Sequence, residues 1–408
     1  MLRSLFSAVT GMRSHQTAMD VIGNNIANVN TAGFKSSQTQ FQDTLSQALR
    51  AGGGGVNPSQ VGLGVQVAGI ATNFSQGSAQ TTNRPSDLMI SGDGFFIVQQ
   101  AGSQVYTRAG AFSLDGSGNL TAPNGGVVQG WLAVDGQINT GTSLTGLKVP
   151  TGLIMAPTPT GSVDAGGNLS ADAAIGATVV NGIDVFDQTG RSIPVTLTYT
   201  KTAQDTWTAT ATVAASGGAT TTVGSATLAW DSTAMAFTPG AVTMTNAQLA
   251  ASGFVFPGDV SIDLSGDGTP LTQYAGASTA TLRSQDGSAA GQLQSWGVGA
   301  DGVITGSFSN GRTQALGQVA LAFFGNPEGL EKAGDSSFRV SAASGQPAIG
   351  VPGTGGRGSI AAGRLEMSNV DLAQEFTNLV MIQRGFQANS RVVSASDEIL
   401  QDLVNLKR

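Results

Sequence analysis

Cysteine is missing altogether from the 408 residues, and histidine occurs once, at His15. The first absence excludes disulfides, thiolate metal sites and cysteine nucleophiles. The second leaves no imidazole pair for a metal or a dyad, and His15 falls inside a helical pattern without the partners a base requires. Charge is scarce as well, at 11% of residues against a typical share of about 25%. The formal net charge of -7 comes without a Lys/Arg cluster, which argues against nucleic acid, because phosphate binding needs concentrated positive charge. There is no basic membrane-surface helix. The first stretch, Met1 to Asn30, has no long uninterrupted apolar run, so it reads neither as a Sec-type signal peptide nor as a membrane span. Export would therefore use a route without a cleaved Sec signal.

What is present points to structure and not to catalysis. Glycine, at 58 residues, is about twice its usual share of about 7%, and Ser, Thr, Asn, Gln and Gly must cover most of the surface. The length predicts two to four folded units. At the start, Leu5, Met12, Met19 and Ile26 recur every seven residues with Val9 alongside, the stripe of a coiled-coil-like helix from Leu2 to about Asn28. At the other end, Leu365, Leu372, Leu379, Phe386, Val393 and Leu400 repeat the spacing, with Phe376 and Val404 at the complementary position. Ser368 followed by Asp371 reads as a capping box opening a helix of about 38 residues, about 57 Å long.

The middle is patterned for β-structure. Pro194 to Tyr199 alternates, Gln318 to Phe324 is strand-like, and Asp-Gly pairs at Asp93, Asp115, Asp135, Asp267, Asp286 and Asp301 signal tight turns. Gly52 to Gly55 and Thr354 to Gly358 mark flexible connections. The expected fold is mainly β with α-helical termini: a coiled-coil-like inner domain from the two end helices and two stacked β-domains nested between them. The boundaries expected are an N-terminal helix at 1–29, a linker region at 30–72, a first β-domain at 73–145, an inserted second β-domain at 146–285, the return of the first at 286–357, a linker at 358–367 and a C-terminal helix at 368–408.

Two matched apolar stripes flanking a β body suit self-assembly. Gly11 and Gly23 each cost an isolated helix about 1 kcal/mol relative to Ala, whereas each buried Leu, Met or Ile returns about 1.5–3 kcal/mol. The two ends can pair, but Phe6, Val21, Ile382 and Leu403 would remain for neighbouring copies to cover, and the ends are expected to fold on polymerisation. The expected assembly residues are Leu5, Val9, Met12, Met19, Ile26, Leu372, Phe376, Leu379, Phe386, Val393 and Leu400.

The run from Asn24 and Asn25 through Ile26, Ala27, Asn28, Val29, Asn30, Thr31, Ala32, Gly33, Phe34 and Lys35 resembles the signature of flagellar rod and hook proteins. So do Ser91 to Phe96, Tyr106 to Phe112, Gly363 to Glu366, Ser368 to Leu372 and Gln383 to Ser390. Asp184 to Gly190, Leu271 to Ala275 and Leu316 to Ala320 are similar to hook subunits within that family, and chain length also favours hook over the shorter distal rod subunits. The resemblance implies a structural subunit that polymerises into a curved extracellular tube, a universal joint transmitting motor torque to the filament. It implies contacts with distal rod and hook–filament junction proteins, a hook cap during assembly, and delivery by the flagellar type III export apparatus. Phe41 and Leu45 resemble that apparatus's Phe-x-x-x-apolar motif, with a small helix packing both residues as the plain alternative.

Readings that put chemistry in the chain are weaker. Asp263, Ser265, Asp267 and Gly268 echo a calcium loop whose distal carboxylate is missing, and no cofactor or metal is expected. Trp131, Trp207, Trp230 and Trp296 read as β-core residues. The rival of another class is a secreted β-rich adhesin, which would leave the heptad ends unexplained.

Overall fold

The computed structural model describes residues 2–50, 59–150, 152–215, 218–266 and 269–405. It is mainly β, with α1 (Leu2–Ala27) at the start, a short α2 (Asn246–Ala251) within the body and α3 (Leu372–Asn405) at the end. The expected fold class is the observed one. Gly52 to Gly55 and the Asp267-Gly268 pair lie outside the described residues, as do the side chains of Leu403 and Val404.

The capping box is corrected. The α3 N-cap is Asp371, whose Oδ1 accepts the amides of Ala373 at 2.9 Å and Gln374 at 3.3 Å, so two of the four free N–H groups are satisfied without Ser368. The helix has 34 residues and runs for about 51 Å. Leu365 belongs instead to the strand Arg364–Glu366.

Two compact units divide the chain. The first comprises Met1–Thr151, Trp296–Gly306 and Gln314–Arg408. Its central strand Val127–Val134 pairs with Phe95–Gln100 and, at Gly130 to Leu132, with Val319 to Gly317. The core there is aromatic: Phe95, Tyr106, Trp131, Phe324 and Phe338 pack together. The Phe95–Phe324 and Tyr106–Phe324 rings meet edge to face at 5.7 and 4.9 Å, and each such pair adds about 0.5–1.5 kcal/mol beyond burial. At Asp135-Gly136 both residues have positive φ, 51° and 77°, and close the two-residue hairpin that sets Val134 opposite Gln137. Residues expected as linker are in strands: Ser37–Asp43 pairs antiparallel with Val65–Thr72, with a bulge between Gln40 and Phe41. Its sequence is so polar that no alternation announces it.

The second unit comprises Gly152–Ser295 and Ser307–Thr313. Five antiparallel strands follow one another in order, Thr178–Phe186, Ser192–Ala203, Thr206–Ala214, Thr220–Asp231 and Ala236–Thr238. A second sheet centres on Ser162–Asn168, parallel to Val260–Asp263 and antiparallel to Thr281–Gln285. The alternation read from Pro194 to Tyr199 is visible in space: Val195, Leu197 and Tyr199 are buried with Trp207 while Thr196 and Thr198 face outward. Trp207 donates Nε1–H to Gln273 Oε1 at 3.0 Å, so the buried ring leaves no orphan donor.

Asp187 ties the turn between the first two of these strands. Its Oδ1 accepts Thr189 N at 2.9 Å, Thr189 Oγ1 at 2.6 Å and Arg191 N at 3.0 Å. Burial, the largest single influence, pushes its pKa up, but the bonds from Thr189 and Arg191 together outweigh it and hold the carboxyl below 3.8. A folded pKa below the unfolded one means that the carboxylate's stabilisation is complete above the unfolded value and is lost as pH falls through the folded one. Asp187→Asn is therefore expected to weaken the protein at neutral pH, with the difference from the parent shrinking in unfolding curves taken below about pH 4. Equal differences at both pH values would contradict this account of the turn.

Candidate assembly site

The two chain ends meet as an antiparallel pair, and their seam is not the apolar stripe. Residues of α1 that are fully buried are Ala8, Gly11, Ser14, Ala18, Ile22 and Asn25. Leu5, Val9, Met12, Met19 and Ile26 are half-buried on the adjoining flank, as are Leu379, Phe386, Val393 and Leu400 of α3. Leu372 and Phe376 are exposed, Phe376 by 52%. The reason is close approach. A Cβ on Gly11 would stand 2.6 Å from Asn389 Nδ2, and one on Gly385 would stand 2.8 Å from His15 Nε2. Each helix thus receives a side chain of the other at a glycine, so Gly11, counted against α1 as an isolated helix, is a point of close pairing, whereas Gly23 has nothing within 4 Å of its Cβ position. The small residues Gly11 and Gly385 carried that signal.

α1 also lies on the strand pair, where the amide of Val65 donates to Thr10 Oγ1 at 3.4 Å. Of the flanks expected to stay open, Phe6 is 63% exposed, whereas Val21 and Ile382 are half-buried.

Around the end of α1 the Asn-rich motif builds a junction. Asn25, fully buried, donates Nδ2–H to Ser37 O at 2.8 Å and Glu375 Oε1 at 3.0 Å, and its Oδ1 accepts Ser37 N at 3.0 Å. Asn28 bonds back to Asn24 and accepts from Thr31. Ala27 and Asn30 are exposed and stand outside this network. Gly33, at φ 69°, donates its amide to Glu366 O at 2.7 Å. Phe34 lies beneath the Lys332 ammonium, 5.6 Å from its ring centre.

Lys35 completes the junction. Its Nζ donates to Glu366 Oε1 at 2.6 Å and Ser75 O at 2.7 Å, while the amide of Gly77 donates to the same carboxylate oxygen at 2.9 Å. Arg108 Nη1 stands 3.6 Å from Glu366 Oε2 and donates to Gly92 O at 2.8 Å. The Lys35 and Glu366 side chains are completely buried. Burial pushes the Lys35 ammonium below its ordinary pKa, against the hydrogen bond and charge of Glu366, and it lowers Arg108 in the same way. Sequence reading placed all three residues in recognisable segments but did not bring them together. Their rarity in a charge-poor chain was the available signal.

Phe41 is not on a small helix: it lies in the strand Ser37–Asp43, its ring centre 5.7 Å from that of His15, and Leu45 beyond that strand is 84% exposed. Among the described residues no three His, Cys, Asp or Glu side chains gather for a metal, and no helix is long and apolar enough to cross a membrane.

The chain pairs a helix from each of its ends and carries β-structure between them, and its relatives are flagellar hook and basal-body rod proteins. Four family models match successive parts: flagella basal body rod protein at 5–35, flagellar hook protein FlgE/F/G D1 domain at 89–171, flagellar basal body protein FlaE D2 domain at 158–288 and flagellar basal body rod FlgEFG protein C-terminal at 361–406. The flagellar hook protein FlgE of Borreliella burgdorferi is 38% identical over 100% of both chains, and that of Escherichia coli is 34% identical over 98% of this chain and 99% of its own. The chain belongs to the flagellar hook protein family and is a structural subunit of the hook. A Bacillus subtilis flagellar basal-body rod protein FlgG is 31% identical over 100% of both chains, so the expected length difference between hook and distal rod subunits does not hold for that relative. A crystal structure of Helicobacter pylori flagellar hook protein FlgE2 shares the fold at a TM-score of 0.54 and 14% identity, covering 71% of this chain and 100% of that one.

Proposed function

We propose that copies of this chain join through the open flanks of α1 and α3 into a curved extracellular tube that passes motor torque to the filament. The observation that carries this is the apolar surface the helix pair leaves uncovered: Phe6, Phe376, Val380, Met381, Val392 and Ile399 are all exposed. An apolar surface of this kind on a helix pair is costly in water and gains by burial against a like surface. Bending has its own support in the second unit, where Thr196, Thr198 and Thr200 stand opposite Thr212, Thr210 and Thr208 across the outward face of its sheet. An uncharged hydroxyl face exchanges neighbours for water at little net cost. Contacts with distal rod, hook–filament junction and cap proteins, and delivery by the type III export apparatus with Phe41 and Leu45 as its recognition motif, belong to the same proposal and rest on the family resemblance.

Electron microscopy of assembly mixtures tests the reading. A chain trimmed of 1–29 and 368–408 is expected to give no tubes, and one lacking 152–295 to give tubes of altered curvature. Tubes from the trimmed chain as abundant as those from the intact one would refute it.

A further inference from the structure

The helix pair keeps one register throughout: Gly11 meets Asn389, His15 meets Gly385 and Asn25 meets Glu375. Continued to the start of α1, it sets Leu2 beside Glu398. Because α3 runs on to Asn405, its last two turns, beginning with the exposed Ile399, have no counterpart on α1 among the described residues. The sequence there is apolar and then basic: Leu403, Val404 and Leu406, followed by Lys407 and Arg408.

The opposite end of the pair has the complementary character. A cleft of about 480 Å³ opens between α1, the strand Ser37–Asp43 and the first turns of α3, with Val21, Phe41 and Met381 among its apolar lining and Asp371 and Glu375 among its polar lining. The ion pairs among the described residues join Lys35 and Arg108 to Glu366, and Arg191 to Asp187; neither cleft carboxylate has a cation. Burial pushes the Glu375 carboxyl above its ordinary 4.5, against the hydrogen bond from Asn25, and the charge of Asp371 adds to the rise. A cation brought to this place would meet carboxylates that hold hydrogen bonds but no ion pair, in a partly desolvated setting where attraction is stronger than at an open surface.

We infer that the overhanging end of α3 in one copy, with Lys407 and Arg408, seats head to tail in the α1/α3 cleft of the next copy. The basic pair meets Asp371 and Glu375, and the apolar positions before it cover Val21, Phe41 and Met381. The seam inside one chain then continues into the seam between chains. This inference rests on the assembly reading above and goes further by naming the segment and its socket.

A chain without cysteine makes the test direct. Two single variants, Gln374→Cys at the cleft and Asn405→Cys at the overhang, are mixed in equal amounts, assembled, oxidised and resolved under non-reducing conditions. Mixed dimers at least tenfold above either self-dimer are expected. Tubes without mixed dimers overturn the inference and leave the assembly reading intact, as do Asn405→Cys self-dimers, which would mean overhang against overhang. If Gln374→Cys copies do not enter tubes, Asn378→Cys takes their place. Absence of tubes from the unaltered chain would instead refute the assembly reading. A second arm isolates the charge pairing. Lys407→Glu with Arg408→Glu in the overhang copy is expected to cut mixed dimers at least tenfold, and Gln374→Lys in an Asn378→Cys cleft copy is expected to restore them. Unchanged cross-linking in the reversed-charge mixture also overturns the inference.

Discussion

Glu366→Gln is expected to lower the unfolding free energy by about 3–5 kcal/mol, the range for removing one partner of a buried ion pair. The carboxylate answers two cations at once, Lys35 at 2.6 Å and Arg108 at 3.6 Å; with it gone Lys35 stays buried without an anion and Arg108 keeps only the charge of Asp93. Burial already depresses Lys35, and Glu366 is what opposes that shift, so the variant removes the opposition and leaves the cost. A double variant, Lys35→Met with Glu366→Gln, is expected to lose less than the two single changes summed, since neighbours in one network are not additive. Urea unfolding curves measure both quantities. A single variant within about 1 kcal/mol of the parent, or strict additivity, would show that the junction does not depend on this charge cluster.

Gly33→Ala ranks beside it and works by another mechanism. The residue sits at φ 69°, in the left-handed region that costs an L-residue about 1–2 kcal/mol. A Cβ there would lie 2.4 Å from the Ala109 amide nitrogen and 2.7 Å from the Arg108 carbonyl carbon. Those are main-chain atoms of the segment that aims Arg108 at Glu366, so relief of the clash must displace the charge cluster. A total loss of about 3 kcal/mol or more is expected, within the upper tail for single changes. Gly11→Ala is the contrast: its Cβ would stand 2.6 Å from the side-chain amide of Asn389, which can turn aside without moving main chain, and it gains about 1 kcal/mol of helix propensity. Comparable losses at both glycines would mean that backbone contact at Gly33 is not what matters.

These two positions show where sequence reading reached and where it stopped. The heptads marked both end helices because an apolar residue every seventh position is a long repeated signal, and Pro194 to Tyr199 marked its strand because alternation survives in a sheet with one buried face. The pairing surface was missed for a related reason. Periodicity finds large apolar residues, and the close contacts of the pair are made at Gly11 and Gly385, which such a search passes over. The Lys35–Glu366 pair spans 331 positions, and no local pattern links residues so far apart. Ser37–Asp43 escaped as a strand because Gln38, Gln40 and Gln42 give it no greasy side to display.

The glycine contacts have a consequence for timing. Gly11 is met by the Asn389 side chain and Lys35 is paired with the Glu366 carboxylate, so the beginning of the polypeptide reaches its resting place only after nearly everything else has been delivered. Loop closure on that scale is slow compared with local helix formation. A chain ending before Glu366 would leave Gly11 without the Asn389 side chain and Lys35 without its anion. The seating of the first helix thus depends on the part of the chain made last.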